Sequence, residues 1–150
     1  MTPRIEARKL LQDLKLGALP ISLMQVCKSL KIPVFFDRLT GLDGFFVQHP
    51  ETHATAIIVN DSTSLFRQRF SIAHEIGHIR MRHGLAGCSV SGQIKRSPEL
   101  EVSANIFASE LLMPKMFLQR HGYLKPEQIS ALCCVSLDAA AIRAKELGWA

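Results

Sequence analysis

The sequence predicts an α+β fold in one domain, residues 1–150. Apolar residues recur at helical spacing towards both ends of the chain, and three short runs rich in β-branched and aromatic residues lie together between residues 34 and 59. The length suits one domain. At this size a folded chain removes ~68–70% of its extended surface from water, so a core can form without covalent staples. With 47% hydrophobic, 21% charged and 7% aromatic residues, the composition is globular and excludes disordered, collagenous and coiled-coil classes.

Each element has its own signal. Thr2-Pro3 is a cap and first turn, Ala7, Leu10, Leu11 and Leu14 follow at helical spacing, and Gly17 stops the helix. Leu23, Val26, Cys27 and Leu30 give a second short helix, closed by Pro33. Residues 34–36, 45–48 and 56–59 read as a small sheet, mixed or antiparallel, and the short links favour antiparallel pairing. Asp43-Gly44 marks a turn before the second run. Asp61, Ser62 or Ser64 then caps a helix running to about His83, with one stripe of Leu65, Ile72, Ile76 and Ile79 and an adjacent one of Phe66, Phe70, Ala73 and Gly77. Residues 84–96 read as a loop. Ser97 caps the next helix, Pro98 sits in its first turn, Leu100, Ala104, Phe107 and Leu111 line one face, and Pro114 ends it. Short helices follow at 115–120, 127–132 and 137–147, with Ser136 capping the last. The expected total is about six helices on a small sheet.

The longest apolar stretches fall far short of the ~20 residues a membrane-spanning helix needs. The N-terminus lacks the pattern of an export signal, so an unexported, cytoplasmic chain is expected. Cys27, Cys88, Cys133 and Cys134 show no C-x-x-C spacing and read as reduced thiols. The net charge of +5 raises nucleic acid as a partner. It is local, however: residues 67–96 hold Arg67, Arg69, Arg80, Arg82, Lys95 and Arg96 against Glu75 alone, and the rest of the chain balances. That excess reads as a solvated basic face or as a positive rim for an acidic segment of a protein partner.

The chemistry lies at residues 74–78, His-Glu-Ile-Gly-His. Histidines at i and i+4 share one face of a helix, so His74 and His78 can reach one metal ion. The glutamate after the first histidine, Glu75, falls beside the metal, where it can act as general base towards a water molecule that zinc acidifies to a pKa of ~7. A catalytic zinc needs a third protein ligand and one open position. Glu99, Glu101 and Glu110 on the following helix are the candidates. Glu99 sits in the first turn, where a carboxylate complements the helix dipole. Glu101 and Glu110 are about 180° apart in helical phase, so they cannot share a metal. Glu101 borders the apolar stripe and is the preferred ligand.

Residues 69–78, Arg-Phe-Ser-Ile-Ala-His-Glu-Ile-Gly-His, together with 101–114, Glu-Val-Ser-Ala-Asn-Ile-Phe-Ala-Ser-Glu-Leu-Leu-Met-Pro, resemble the two signatures of the ImmA/IrrE zinc metallopeptidases. The second signature begins with a metal-binding glutamate, which falls on Glu101. The likeness runs in order along nearly the whole chain and departs at Ser103, where an acidic residue is common. It implies a zincin-like metallopeptidase domain at 1–150, Zn2+ held by His74, His78 and Glu101, and Glu75 as the catalytic base. It further implies a bacterial or phage endopeptidase that cleaves or inactivates a separate helix-turn-helix repressor. The alternative is a zinc-containing module that binds its partner without proteolysis, as an anti-repressor or the toxin of a toxin–antitoxin pair.

Other features read more plainly. His83 lies five residues after His78, about 100° past the i+4 position, and reads as a helix-end histidine favoured by the dipole. Tyr123 or His121 could stabilise an oxyanion. Cys88 reads as a loop cysteine. The last two helices resemble a helix-turn-helix, but residues 137–147 carry only Arg143 and Lys145 as bases. Packing is therefore expected there rather than direct contact with nucleic acid.

Overall fold

The computed structural model describes residues 2–83 and 96–149. The fold is α+β, with a three-stranded sheet and seven helices among the described residues. The helices are α1 (Pro3–Asp13), α2 (Leu23–Ser29), α3 (Leu65–Arg80), α4 (Pro98–Leu112), α5 (Lys115–Gln119), α6 (Pro126–Cys133) and α7 (Leu137–Glu146). The strands are β1 (Val34–Asp37), β2 (Gly44–Gln48) and β3 (Thr55–Asn60).

Local chemistry sets the helix starts. The Thr2, Ser22, Ser64, Ser97 and Ser136 hydroxyls accept from the N–H three residues on, at 3.3, 3.2, 3.2, 3.4 and 3.1 Å. Each satisfies one donor that the first turn leaves without a helical partner. Of the three candidate caps before α3, Ser64 is the one used.

The sheet order is β1-β3-β2, with β3 antiparallel to β2 and parallel to β1. The parallel pair departs from the expectation drawn from short links. Asn60 at the end of β3, 6% exposed, holds the link between β1 and β2. Its Nδ2 donates to the carbonyls of Leu39 and Leu42 at 3.0 and 2.9 Å. Asp61 N–H donates to Asp37 O, and Asn60 N–H to Asp43 O, each at 2.9 Å. The link at residues 38–43 is thus wrapped around the end of β3, and β1 and β2 are set on opposite sides of it. Gly44 then passes close to β3: a Cβ there would lie 2.8 Å from the Ile58 carbonyl oxygen.

The core lies between the sheet, α3, α4 and α1. Ile57, Val59, Ile72, Ala73, Ile76, Phe107, Ala108 and Leu111 are all buried. The apolar stripes of α3 reach the core only from Phe70 onward; Leu65 and Phe66 are exposed in the first turn. Gly77 lets α4 approach, since a Cβ there would lie 2.9 Å from Cδ1 of Phe107.

The last helix packs inward through Ala140, Ala144 and Arg143. Arg143 is 2% exposed; it pairs with Glu110 and donates from Nε to the Met113 carbonyl at 3.0 Å. That base is committed to the interior and is not presented to a duplex. Cys27, Cys133 and Cys134 are free thiols, and Cys88 lies outside the described residues.

Most of the local charge excess is also committed. Arg67 Nε pairs with Asp43 at 2.9 Å, and Arg80 Nη2 approaches Glu6 at 3.7 Å. Arg69 donates to the carbonyls of Ile21, Cys133 and Cys134 at 3.0 to 3.3 Å. Lys95 lies outside the described residues.

Candidate metal centre

Helix α3 carries His74, Glu75 and His78; α4 carries Glu101 and Asn105. The close contact of Gly77 with Phe107 sets these two helices together, so Glu101 comes to face the histidine pair. Its Oε2 lies 3.0 Å from His74 Nε2, and its Oε1 lies 3.0 Å from His78 Nε2. The two Nε2 atoms are themselves 3.0 Å apart. His74, His78 and Glu101 form a group whose ligand atoms all lie within 4.8 Å of one another.

The donor chemistry tests whether a metal fits this group. His74 Nδ1 lies 2.8 Å from Asn105 Oδ1, an acceptor, so Nδ1 carries the proton and Nε2 is a bare lone pair. That lone pair faces a carboxylate oxygen and a second ring nitrogen. Acceptors gathered with so few protons between them repel one another unless a cation lies among them. Two imidazoles and one carboxylate suit zinc with a position left open. His78 is fully buried. Burial pushes its pKa down to about 3, helped by the charges of Arg96, His74 and His83, so its ring is neutral at physiological pH.

Glu75 is not part of this ligand group. It is 5% exposed, and its Oε2 is buried without a hydrogen-bond partner among the described residues. Burial pushes its carboxyl up to about 8; Arg96 opposes that shift and Glu101 adds to it. Glu75, His74, Glu101, Asn105, Arg96 and Gly44 line one groove of ≈ 560 Å³. Strand β2 meets it at Gly44 and is an edge strand of the sheet among the described residues. Asp43 O and His49 N bond towards β3, so by antiparallel alternation the N–H and C=O groups of Gly44, Phe46 and Gln48 turn outward.

The structure separates the other candidates. Glu99 is exposed in the first turn of α4. Glu110 is buried against Arg8 and Arg143, and its Oε1 also accepts from Lys115 N–H at 3.3 Å. Tyr123 is exposed and donates to the Trp149 carbonyl, while the His121 ring faces Phe117 O at 3.4 Å. Neither is among the groove-lining residues. His83, set apart by helical phase, instead has its Nδ1 3.0 Å from His78 Nδ1. Arg96 was legible only as a charge. It lines the groove, with Nη1 3.8 Å from Glu101 Oε1 and its guanidinium 5.1 Å from the Phe46 ring centroid.

An α+β domain with two histidines one helical turn apart, a facing carboxylate and a buried glutamate between the histidines belongs to the metallopeptidase-like class. Residues 27–145 match the peptidase M78 family, the IrrE N-terminal-like domain, and the chain belongs to that family. Among curated proteins none matches the chain. Among solved structures, a Mycobacterium tuberculosis transcriptional regulator has a similar fold, with a TM-score of 0.63 and 18% sequence identity. The match covers 95% of this chain and 46% of that one, so the chain spans about half the length of that relative. No helix among the described residues is long and apolar enough to cross a membrane.

Proposed function

We propose that the chain is a zinc-dependent endopeptidase acting on a separate helix-turn-helix repressor. The observation that carries this reading is the convergence of His74, His78 and Glu101 beside the unpartnered, buried oxygen of Glu75. The three residues would hold Zn2+, which supplies Lewis acidity and a water that ionises near neutral pH.

The remaining work falls to the chain's own groups. Glu75 takes the proton from the attacking water and later delivers it to the leaving amine. Its burial suits both tasks, because a raised affinity for protons makes it a better base, and a charged metal beside it favours the ionised form before reaction. The outward N–H and C=O groups of Gly44 and Phe46 pair with an extended substrate segment, a common mode of peptide capture, and bring it along the groove past Glu75. The repressor as substrate is supported by the family resemblance and by the regulatory relative that shares the fold.

The test incubates the zinc-loaded chain with candidate helix-turn-helix repressors from its own genome. Cleavage products should appear with the wild type and vanish with Glu75→Gln, while zinc content stays the same. Cleavage unchanged in Glu75→Gln would refute the assignment of the base. Loss of repressor function in both forms, with the repressor intact, would favour binding without proteolysis.

A further inference from the structure

We propose that His83 is a positioning residue for the metal centre, accepting the Nδ1 proton of His78 and so fixing the ring that presents Nε2 to the metal. This rests on the reading of His74, His78 and Glu101 as the ligands. The two Nδ1 atoms are 3.0 Å apart, and the rings meet at 65° with centroids 5.2 Å apart. One of two facing ring nitrogens must donate and the other accept. His78 uses Nε2 as a lone pair towards the cluster, so its proton resides on Nδ1 and His83 Nδ1 is the acceptor. The His83 proton is then on Nε2.

The backbone is built to put His83 there. On a continuing helix a residue at i+5 would point about 140° away from His78. The chain instead leaves the helix through Arg82 in a left-handed conformation, φ 55°. His83 N–H then closes on the His78 carbonyl at 2.9 Å, and the ring swings back over its target. Arg96 ties this turn down from the far side, donating from Nε to the His83 carbonyl at 3.3 Å while lying over the Phe46 ring. His74 is held in the equivalent way by Asn105. Both ring ligands are thus oriented from outside, which tunes metal affinity. His83 is not itself a ligand, because its Nδ1 is turned to His78 and the described ligand group comprises His74, His78 and Glu101.

The test needs only the metal. Zinc affinity is measured by competition with a chromogenic chelator, and the cobalt(II)-loaded protein gives a visible spectrum that reports ligand geometry. His83→Ala should bind zinc about ten- to a hundredfold more weakly and shift the cobalt spectrum, while the metal-free protein stays folded. His83→Asn places an amide oxygen near the position of Nδ1 and should recover most of the affinity. Wild-type affinity in His83→Ala would overturn the proposal. So would a His83→Asn protein that binds as weakly as His83→Ala. If the wild type binds zinc no more tightly than His74→Ala, the metal reading fails first and takes this inference with it.

Discussion

Gly77 and the ring of Phe107 are in contact at a distance that admits no side chain: a Cβ on Gly77 would stand 2.9 Å from Cδ1 and 3.1 Å from Cγ. This contact sets the separation of α3 from α4, and with it the reach of Glu101 towards His74 and His78. Gly77→Ala should destabilise the protein by about 1–3 kcal/mol through overpacking, despite alanine's better helix propensity. Because the helices part at the site, zinc affinity should fall as well. Urea unfolding and chelator competition check the two effects; a more stable variant with unchanged affinity would show that the packing yields elsewhere.

A metal held by residues from two helices links them. Zinc at about a hundredfold over its dissociation constant should add about 2.7 kcal/mol of stability, and a strong chelator should remove it. Thermal unfolding with and without zinc reads this directly. The shift should be absent from His78→Ala; an equal shift there would place the metal somewhere else.

Much of this arrangement is legible in the sequence because it is local. Serine caps, the i, i+4 histidine pair and the phase of Glu101 against Glu110 all follow from 3.6-residue periodicity within one helix. What is not legible depends on contacts between distant segments or on the backbone leaving regular helical geometry. The parallel pairing of β1 with β3 goes with long-range hydrogen bonds from Asn60 to Leu39 and Leu42. The return of His83 to His78 depends on one left-handed residue, Arg82, which helical phase alone does not foresee. The same holds for Arg96, which precedes α4 and reaches both Glu101 and the Phe46 ring.

Glu110 and Arg143 form a buried ion pair, with side chains 1% and 2% exposed, between α4 and α7. Removing Arg143 leaves the buried Glu110 carboxylate with only the half-exposed Arg8, at 2.9 Å, as an ionic partner. Arg143→Met should therefore cost about 3–5 kcal/mol, and Glu110→Gln in that background should restore part of the loss. Denaturant midpoints decide the matter, and a loss under about 1 kcal/mol in the single variant, the range of exposed pairs, would contradict it.

The buried thiols give the protein a defined alkaline weakness. Burial pushes Cys27 up to about 11 and Cys133 up to about 12, from 9.0 for the unburied group. Their folded-state values are raised, so this contribution to stability is complete below pH 9 and is lost as the pH rises through 11 to 12. The melting temperature should start to fall above pH 9, with a shallower slope in Cys133→Ala. At pH 8 both thiols should resist alkylation in the folded state and react on unfolding, because the thiolate is the reactive form. Rapid labelling of Cys27 or Cys133 in the folded protein would contradict this.

On this reading His74, His78 and Glu101 hold one metal ion, and Glu75 stands beside it without binding it. Native mass spectrometry of the zinc-loaded chain tests this in one measurement. One zinc per chain is expected in the wild type and in Glu75→Gln, and none in Glu101→Ala. Zinc retained in Glu101→Ala, or lost in Glu75→Gln, would contradict it.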